Sequence, residues 1–455
     1  MFKKIKERVF HFSILTFFAG LFLGINLSFN LSATEPAHKY LDYFHHVFQY
    51  IQTDYVDTIN TKDIFYGAIK GMIHALNDPF SRFLNENDFA ELKEDTTGEF
   101  VGVGIEISVK DGEVIVVSPI EDTPAMRAGI KAGDIIYKVN DTIVKNKSLA
   151  DIIKLIRGMT NTKVKLLVKR EGFDGFLDFD MERAPIKTKS VKYDVISGTE
   201  IGYIKIKMFS ADTPRETEDA IKSLSSKGIK KIILDLRWNP GGLLDGAIKI
   251  AELFLDKDKT IVTTKGREGS GNVKESKSML EPVYKDKLIL LVNRGSASAS
   301  EILAGAIRDN HRGKLVGEKT FGKGSIQKLF QLSDKIGVTL TVAKYYTPSG
   351  LSIHGIGIKP DIPVEADIIP VTDRKNVNQI IRDKITEKYV KSHKVYDTAS
   401  KTHFLEYLKG KNLSLSDKTA FFLLKNEINK YSKPAPYDLE FDTQLQKAIQ
   451  IINAK

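Results

Sequence analysis

Cysteine is absent from the 455 residues. That absence excludes disulfide scaffolds, cysteine-ligated zinc, thiol nucleophiles and a lipid-modified N-terminal cysteine. Also missing is any tract of lysine and arginine interleaved with aromatics, so the net charge of +10, from 68 Lys+Arg against 58 Asp+Glu, marks no nucleic-acid groove. Lys3, Lys4, Lys6 and Arg8 against Glu7 hold part of that excess at the start of the chain, and the rest is spread over predicted solvent faces. There is no internal repeat and no low-complexity tract. What remains is a globular composition, 42% hydrophobic and 28% charged, long enough for about three domains.

The long uncharged stretch lies between Arg8 and Glu35, densest in apolar residues from Ile14 to Ile25. A basic start, an apolar middle and a small or polar end (Ser28, Asn30, Ser32, Ala33) give the layout of a secretory signal. Residues 1–34 are therefore expected to export the protein to the periplasm or cell envelope, as a cleaved signal or as an inner-membrane anchor.

Periodicity divides the remainder. Tyr43, Phe44, Val47, Phe48 and Ile51, then Phe65, Ile69, Met72 and Ile73, recur at helical spacing, predicting a helical segment over 35–97. Residues 98–171 shift to short β-like runs broken by Asp111-Gly112 and Gly133-Asp134, with one helical stretch, Leu149 to Ile156. From 172 to 370 strands and helices alternate, which predicts an α/β core of sheets with packed helices. Residues 371–455 read as a polar helical segment with a solvated lysine-rich face at 374–394. The expected fold is α/β multidomain.

Three segments of the core carry chemistry. In the first, GSASASE (Gly295 to Glu301) follows the apolar strand LILLVN and precedes the helical run ILAGAI. A serine at such a turn is exposed beside helix N-terminal amides, which stabilise a developing oxyanion. Ser298 with Glu301 three residues on is also a capping box, which needs no catalysis. In the second, Lys323 lies between two glycines in FGKG, 25 residues after Ser298. A lysine whose pKa is lowered by desolvation is a base for a serine nucleophile. The stretch GEKTFGK (Gly317 to Lys323) also fits a phosphate-binding loop, but Gly324 stands where Ser or Thr would bind Mg²⁺, and a β-like run follows where a helix should open. The third, LDLRWNPGGL from Leu234 to Leu243, ends a strand in a turn whose Gly241 or Gly242 N–H offers one oxyanion donor, with Ala299 N–H the other. A Ser-His-Asp alternative drawn from His311, His354 and Asp361 lacks a recognisable setting. Asp309 reads as structural.

In this order and spacing the segments resemble the carboxy-terminal processing, or tail-specific, proteases, serine peptidases with a Ser-Lys dyad. The resemblance extends from DPFSRFL (Asp78 to Leu84) through TFGKGSIQ to YYTPSG (Tyr345 to Gly350) and GIKPDIPV (Gly357 to Val364). It implies Ser298 as nucleophile, Lys323 as general base, Gln327 as the side chain supporting the lysine, and Gly241 with Ala299 at the oxyanion. It implies no metal, nucleotide or other cofactor, protein substrates, and a dimer or larger ring; an adaptor protein is a further partner that no residue here identifies. Trp238 departs from the family, whose members carry a small or polar residue there, and this bears on the shape of the pocket beside the oxyanion site.

Residues 98–171 resemble a PDZ domain, which adds an extended peptide C-terminus to a sheet edge. Gly102 and Gly104 in FVGVGI would turn backbone N–H groups toward the terminal carboxylate, and Val103, Ile105, Ile152, Ile153 and Ile156 would form the pocket for the last side chain. Arg157 is a candidate relay from bound substrate to the catalytic core. The competing reading is a catalytically silent, PDZ-bearing periplasmic scaffold.

Overall fold

In the computed structural model the described residues are 36–455 apart from 111, 121, 132, 171–174, 270–272, 367–368, 431–434 and 455. The expected export segment, residues 1–34, lies outside them. No described helix is long and apolar enough to cross a membrane.

The chain separates into two units at Ala75/Leu76. The first holds two helices, α1 (Pro36–Asp54) and α2 (Thr61–His74). Asn60 caps α2 by accepting from Lys62 N–H, and Phe65 of α2 packs 4.7 Å, ring to ring, from Phe48 of α1.

The second unit opens with β1 (Arg82–Leu84), α3 (Glu86–Thr97) and β2 (Glu99–Gly102). A six-stranded antiparallel sheet follows: β3 (Ile105–Lys110), β4 (Glu113–Pro119), β5 (Ile135–Val139), β6 (Thr142–Ile143), β7 (Lys163–Lys169) and β8 (Leu177–Glu182), with α4 (Pro124–Ala128) and α5 (Leu149–Ile156) beside it. Its strands alternate buried and open residues, as in Lys163–Lys169, where Val164, Leu166 and Val168 face a core shared with Ile152 and Ile156. Strand β9 (Ala184–Lys187) then returns to pair with β2.

The central sheet contains β10 (Val191–Val195), β11 (Gly202–Ile206), β12 (Lys231–Asp235), β15 (Lys287–Val292), β16 (Lys314–Gly317) and β19 (Ile362–Pro363), in that spatial order. Only the first pair is antiparallel. Three helices, α6 (Thr213–Ser226), α7 (Leu244–Glu252) and α8 (Ala299–Asp309), cover one face, where Ile232, Leu234, Leu288, Leu290 and Val292 are buried with them. The intervening residues Ile233, Ile289 and Leu291 are buried on the opposite face. Burial on both faces is why these strands read as unbroken apolar runs rather than alternating ones.

A third, antiparallel sheet orders β1, β18 (Gly337–Tyr346), β13 (Thr260–Lys265) and β14 (Val273–Lys277), with β17 (Ser325–Gln331) also on β18. The C-terminal helices are α9 (Val371–Arg382), α10 (Ile385–Val390), α11 (Thr398–Lys409), α12 (Asp417–Asn429) and α13 (Thr443–Asn453). The first four enclose a core of their own around Phe404 and Leu424. Helix α13 behaves differently, because its Leu445, Ala448 and Ile452 cover the second face of the central sheet.

Candidate active site

Parallel strand β15 delivers the chain into a turn tied on both sides. The Asn293 side-chain oxygen accepts from Trp238 N–H (2.9 Å) and Gly295 N–H (3.0 Å), and Ser296 Oγ donates to the Leu236 carbonyl (2.8 Å). The Asn239 carbonyl accepts from Ala297 N–H and from Ser300 Oγ, each at 3.0 Å. Ser296 and Ser300 are thus fully buried and engaged, which leaves the middle serine, Ser298, as the candidate for chemistry. Ser298 is half-buried and held at φ 54°, ψ −114°, a left-handed backbone that a non-glycine residue adopts only when its surroundings impose it. It precedes α8, and the first helical N–H, that of Ala299, has no partner among the described residues.

The turn after β12 presses against this serine. Gly241 has φ 104°, and a Cβ there would lie 2.8 Å from Ser298 Cβ and 3.0 Å from Ala299 N, so glycine is required. The Gly241 N–H itself donates to Asn239 Oδ1 at 2.9 Å. Of the two expected oxyanion donors, Ala299 N–H is therefore free and Gly241 N–H is engaged. Upstream, the buried Asp235 accepts from Tyr203 OH (2.5 Å) and from Arg237, which also bridges to Asp442. Burial alone would raise the Asp235 carboxyl, but the Arg237 guanidinium holds it below the usual carboxylate range.

Glu301 does more than cap a helix. It is fully buried, and its Oε1 accepts from Thr320 Oγ1 (2.6 Å) and Gly322 N–H (2.7 Å). Its Oε2 accepts from Ser298 N–H (2.9 Å) and Lys323 N–H (2.9 Å). One carboxylate thus ties the serine turn to the lysine loop. Burial raises its pKa, against the four hydrogen bonds that favour the ionised form.

The lysine loop explains its glycines. A Cβ on Gly324 would sit 2.3 Å from the His354 backbone N, and Gly322 has φ 98°. Strand β17 follows Lys323, so the phosphate-loop arrangement of strand, loop and helix is not formed here. Tyr345, buried, donates its hydroxyl to the Lys323 carbonyl.

The Lys323 amine is half-buried, 5.0 Å from the Phe80 ring centroid. Desolvation lowers its pKa from 10.5, the nearby Arg82 charge lowers it further, and Asp78 opposes both. Asp78 is held by Ser81 Oγ (2.6 Å) and Phe80 N–H (3.1 Å). This ring of Asp78, Phe80 and Arg82 around the lysine is absent from any local reading, since more than two hundred positions separate them. The Gln327 amide does not reach the lysine amine in this structure; its Nε2 donates to Ser325 Oγ (3.0 Å) and Thr341 Oγ1 (3.1 Å). No hydrogen bond joins Ser298 Oγ to Lys323 Nζ among the described residues, whose backbones meet through Glu301.

Because deprotonation of Lys323 is favoured by its surroundings, any reaction using it as a base should gain rate as pH rises through its folded pKa, which lies below 10.5. Arg82→Gln removes a like charge, so it moves that acid limb to higher pH and lowers the rate at pH 7. The pH profile of kcat/KM measures both. For stability the sign is the same: burying the ammonium costs free energy below the folded pKa, and the cost fades as pH rises toward 10.5.

The alternative triad is not assembled. Asp361 accepts from Leu315 N–H (2.7 Å), His311 lies just past the end of α8 at φ 55°, and Asp309 accepts from Ser349 N–H and Oγ, a structural role.

Between β2 and β3, beside the six-stranded antiparallel sheet, the Val103 and Gly104 carbonyls accept from Ala125 N–H and Ile120 N–H (2.8 and 2.9 Å), and their own N–H groups have no partner among the described residues. Gly104, at φ 79°, has Thr123 2.3 Å from where its Cβ would be. Val103, Ile152 and Ile156 belong to the core of this sheet, whereas Ile105 and Ile153 keep exposed surface. Gly102 closes β2 against Ala184. Arg157, at the C-cap of α5, pairs with Glu94 of α3 and lies 4.6 Å over the Phe100 ring.

The model of peptidase family S41 matches residues 200–364, a PDZ domain model matches 115–170, and the N-terminal domain model of the activating protease CtpB matches 27–88. A carboxy-terminal-processing protease of Bartonella bacilliformis is 39% identical over 361 residues, 77% of this chain and 82% of that protein. A probable CtpA-like serine protease of Staphylococcus aureus is 37% identical over 381 residues, 81% and 75% of the two chains. The solved structure of a photosystem II D1 C-terminal processing protease is 32% identical, covers 72% of this chain and 88% of that one, and superposes with a TM-score of 0.42. On the extent and identity of the two sequence relatives, the chain belongs to peptidase family S41, among the carboxy-terminal-processing serine proteases that carry a PDZ domain.

Proposed function

We propose that the chain is an exported endopeptidase that takes protein substrates by their C-termini and cleaves them with Ser298 and Lys323. Ser298 Oγ attacks the scissile carbonyl carbon while neutral Lys323 accepts the hydroxyl proton, and the carbonyl oxygen becomes an oxyanion held by Ala299 N–H. On collapse of the intermediate the C–N bond breaks, the lysine proton passes to the departing amine, and an ester to Ser298 remains. Water, deprotonated by the same lysine, hydrolyses that ester and frees the serine. Gly241 N–H serves as the second donor once it exchanges Asn239 Oδ1 for the oxyanion, and Gln327 orients Lys323 once its amide leaves Ser325 and Thr341.

The observation that carries this reading is the Glu301 carboxylate, which fixes the backbones of both residues from one buried point. Incubation of purified protein with an unstructured substrate ending in apolar residues tests it. Cleavage lost in Ser298→Ala and in Lys323→Ala supports the enzyme, and none by wild type favours the silent scaffold.

For capture, the free N–H groups of Val103 and Gly104 receive the terminal carboxylate, and Ile105 and Ile153 border the last side chain. Gly102 shapes the loop, while Val103 and Ile156 contribute its packed floor. Arg157 is placed to report occupancy through Glu94 and Phe100. Arg157→Ala should therefore lower kcat for a tail-bearing protein by about fivefold and leave kcat for a short peptide lacking the tail unchanged; equal kcat for the tailed substrate in variant and wild type disposes of the relay. Export rests on the signal-like residues 1–34, and assembly into a homo-oligomer, with or without an adaptor, belongs to the same proposal. The reading calls for no metal, nucleotide or nucleic acid.

A further inference from the structure

Trp238 is the chain's single tryptophan, and nothing in the chemistry above uses it. Its backbone has φ 62°, a left-handed conformation that strains a bulky side chain and suits glycine or asparagine. Despite that strain its side chain gains little burial: the residue is 62% exposed. The turn that imposes this conformation is held by other bonds, with Trp238 N–H on Asn293 Oδ1 and Asn239 Nδ2 on the Ile206 carbonyl. The indole edge rests on Gly295, where a Cβ would fall 2.5 Å from Trp238 Cε3. The Arg294 guanidinium lies 5.6 Å from the ring centroid. A second aromatic, Phe321, is 61% exposed and has its N–H bonded to the Ser296 carbonyl of the same turn.

Position decides what such a platform meets. Gly295 precedes Ser298 by three residues, a span of at most about 11 Å of extended chain. An extended substrate advances about 3.3 Å per residue, so the indole reaches side chains within three positions of the bond that Ser298 attacks. A strained, exposed aromatic at that distance gains burial only when something covers it.

We propose that Trp238, backed by Arg294, is a substrate subsite that stacks an aromatic or large apolar side chain lying within three residues of the scissile bond. This rests on the Ser298 cleavage reading for its position and deepens it by naming a sequence preference. The stacking would sort peptides already admitted by their C-termini, adding a second filter to the first.

The indole is its own reporter. In Ser298→Ala protein, which cannot turn substrate over, tryptophan emission should shift to the blue on titration with a peptide carrying phenylalanine at the subsite position. The shift should be absent with the glycine counterpart. In active protein, kcat/KM for the phenylalanine peptide should exceed that for the glycine peptide by about tenfold. That ratio should fall to about two in Trp238→Asn, a change the left-handed backbone accepts without unfolding, and should fall partway in Arg294→Gln. An emission spectrum that no peptide moves, together with an unchanged ratio in Trp238→Asn, overturns the subsite while leaving cleavage intact. Emission that responds to peptide in a protein that cleaves nothing overturns the protease reading and keeps the subsite.

Discussion

On the proposed dyad, replacing Ser298 by alanine should lower kcat for peptide cleavage by about 10⁴-fold or more, and Lys323→Ala should do the same. The double variant should be no worse than either single one, because the proposed nucleophile and base act in one step and their losses do not add. Neither change should unfold the protein. Ser298 strains the backbone whatever its side chain, and Lys323 leaves behind a half-open pocket rather than an orphaned partner. Thermal midpoints close to wild type alongside lost turnover are the expected pair of results. A residual rate within tenfold of wild type in either variant contradicts the assignment.

The second large effect falls on Glu301. Glu301→Ala removes the acceptor for three backbone N–H groups and one hydroxyl in a site closed to water. Unpaired buried donors cost about 1–3 kcal/mol each, and with partial relaxation the loss should be about 3–5 kcal/mol of stability. Glu301→Gln keeps the shape and one acceptor oxygen but turns an NH₂ toward two donors, either the Ser298 and Lys323 N–H groups or the Thr320 hydroxyl and Gly322 N–H. It should stay folded while the serine turn and lysine loop drift apart, and a displacement near 1 Å costs about 10²-fold in rate. Urea unfolding for the alanine variant and kcat for the glutamine variant check the two statements separately. A stable alanine variant with full turnover would show that the two loops hold their places without the carboxylate.

Much of the candidate site is legible along the chain because its signals are local. The apolar strand into GSASASE, the glycines around Lys323 and the Gly-Gly turn each follow from what their immediate neighbours permit. The helix at Leu149–Ile156 and the strand at Ile135–Val139 lie where periodicity puts them. What stays hidden is set by distant partners. A capping box accounts for Glu301 from three residues away, but its bonds to Thr320, Gly322 and Lys323 reach 19 to 22 positions along the chain. Phe80 and Arg82 meet Lys323 only because β1 pairs with β18 of the third sheet. Likewise the polar-looking C-terminal segment conceals in α13 a helix whose few apolar residues close the far face of the central sheet. Nor does sequence reveal that the Gly241 N–H and the Gln327 amide are both engaged elsewhere.

Labelling with a serine-directed fluorophosphonate, followed by peptide mapping, asks the central question without a substrate being known. Adduct should form on Ser298 and not on Ser296 or Ser300, at a rate that climbs with pH as the Lys323 amine loses its proton and that collapses in Lys323→Ala. Adduct on another serine, or undiminished labelling of Ser298 once the lysine is gone, would contradict the account.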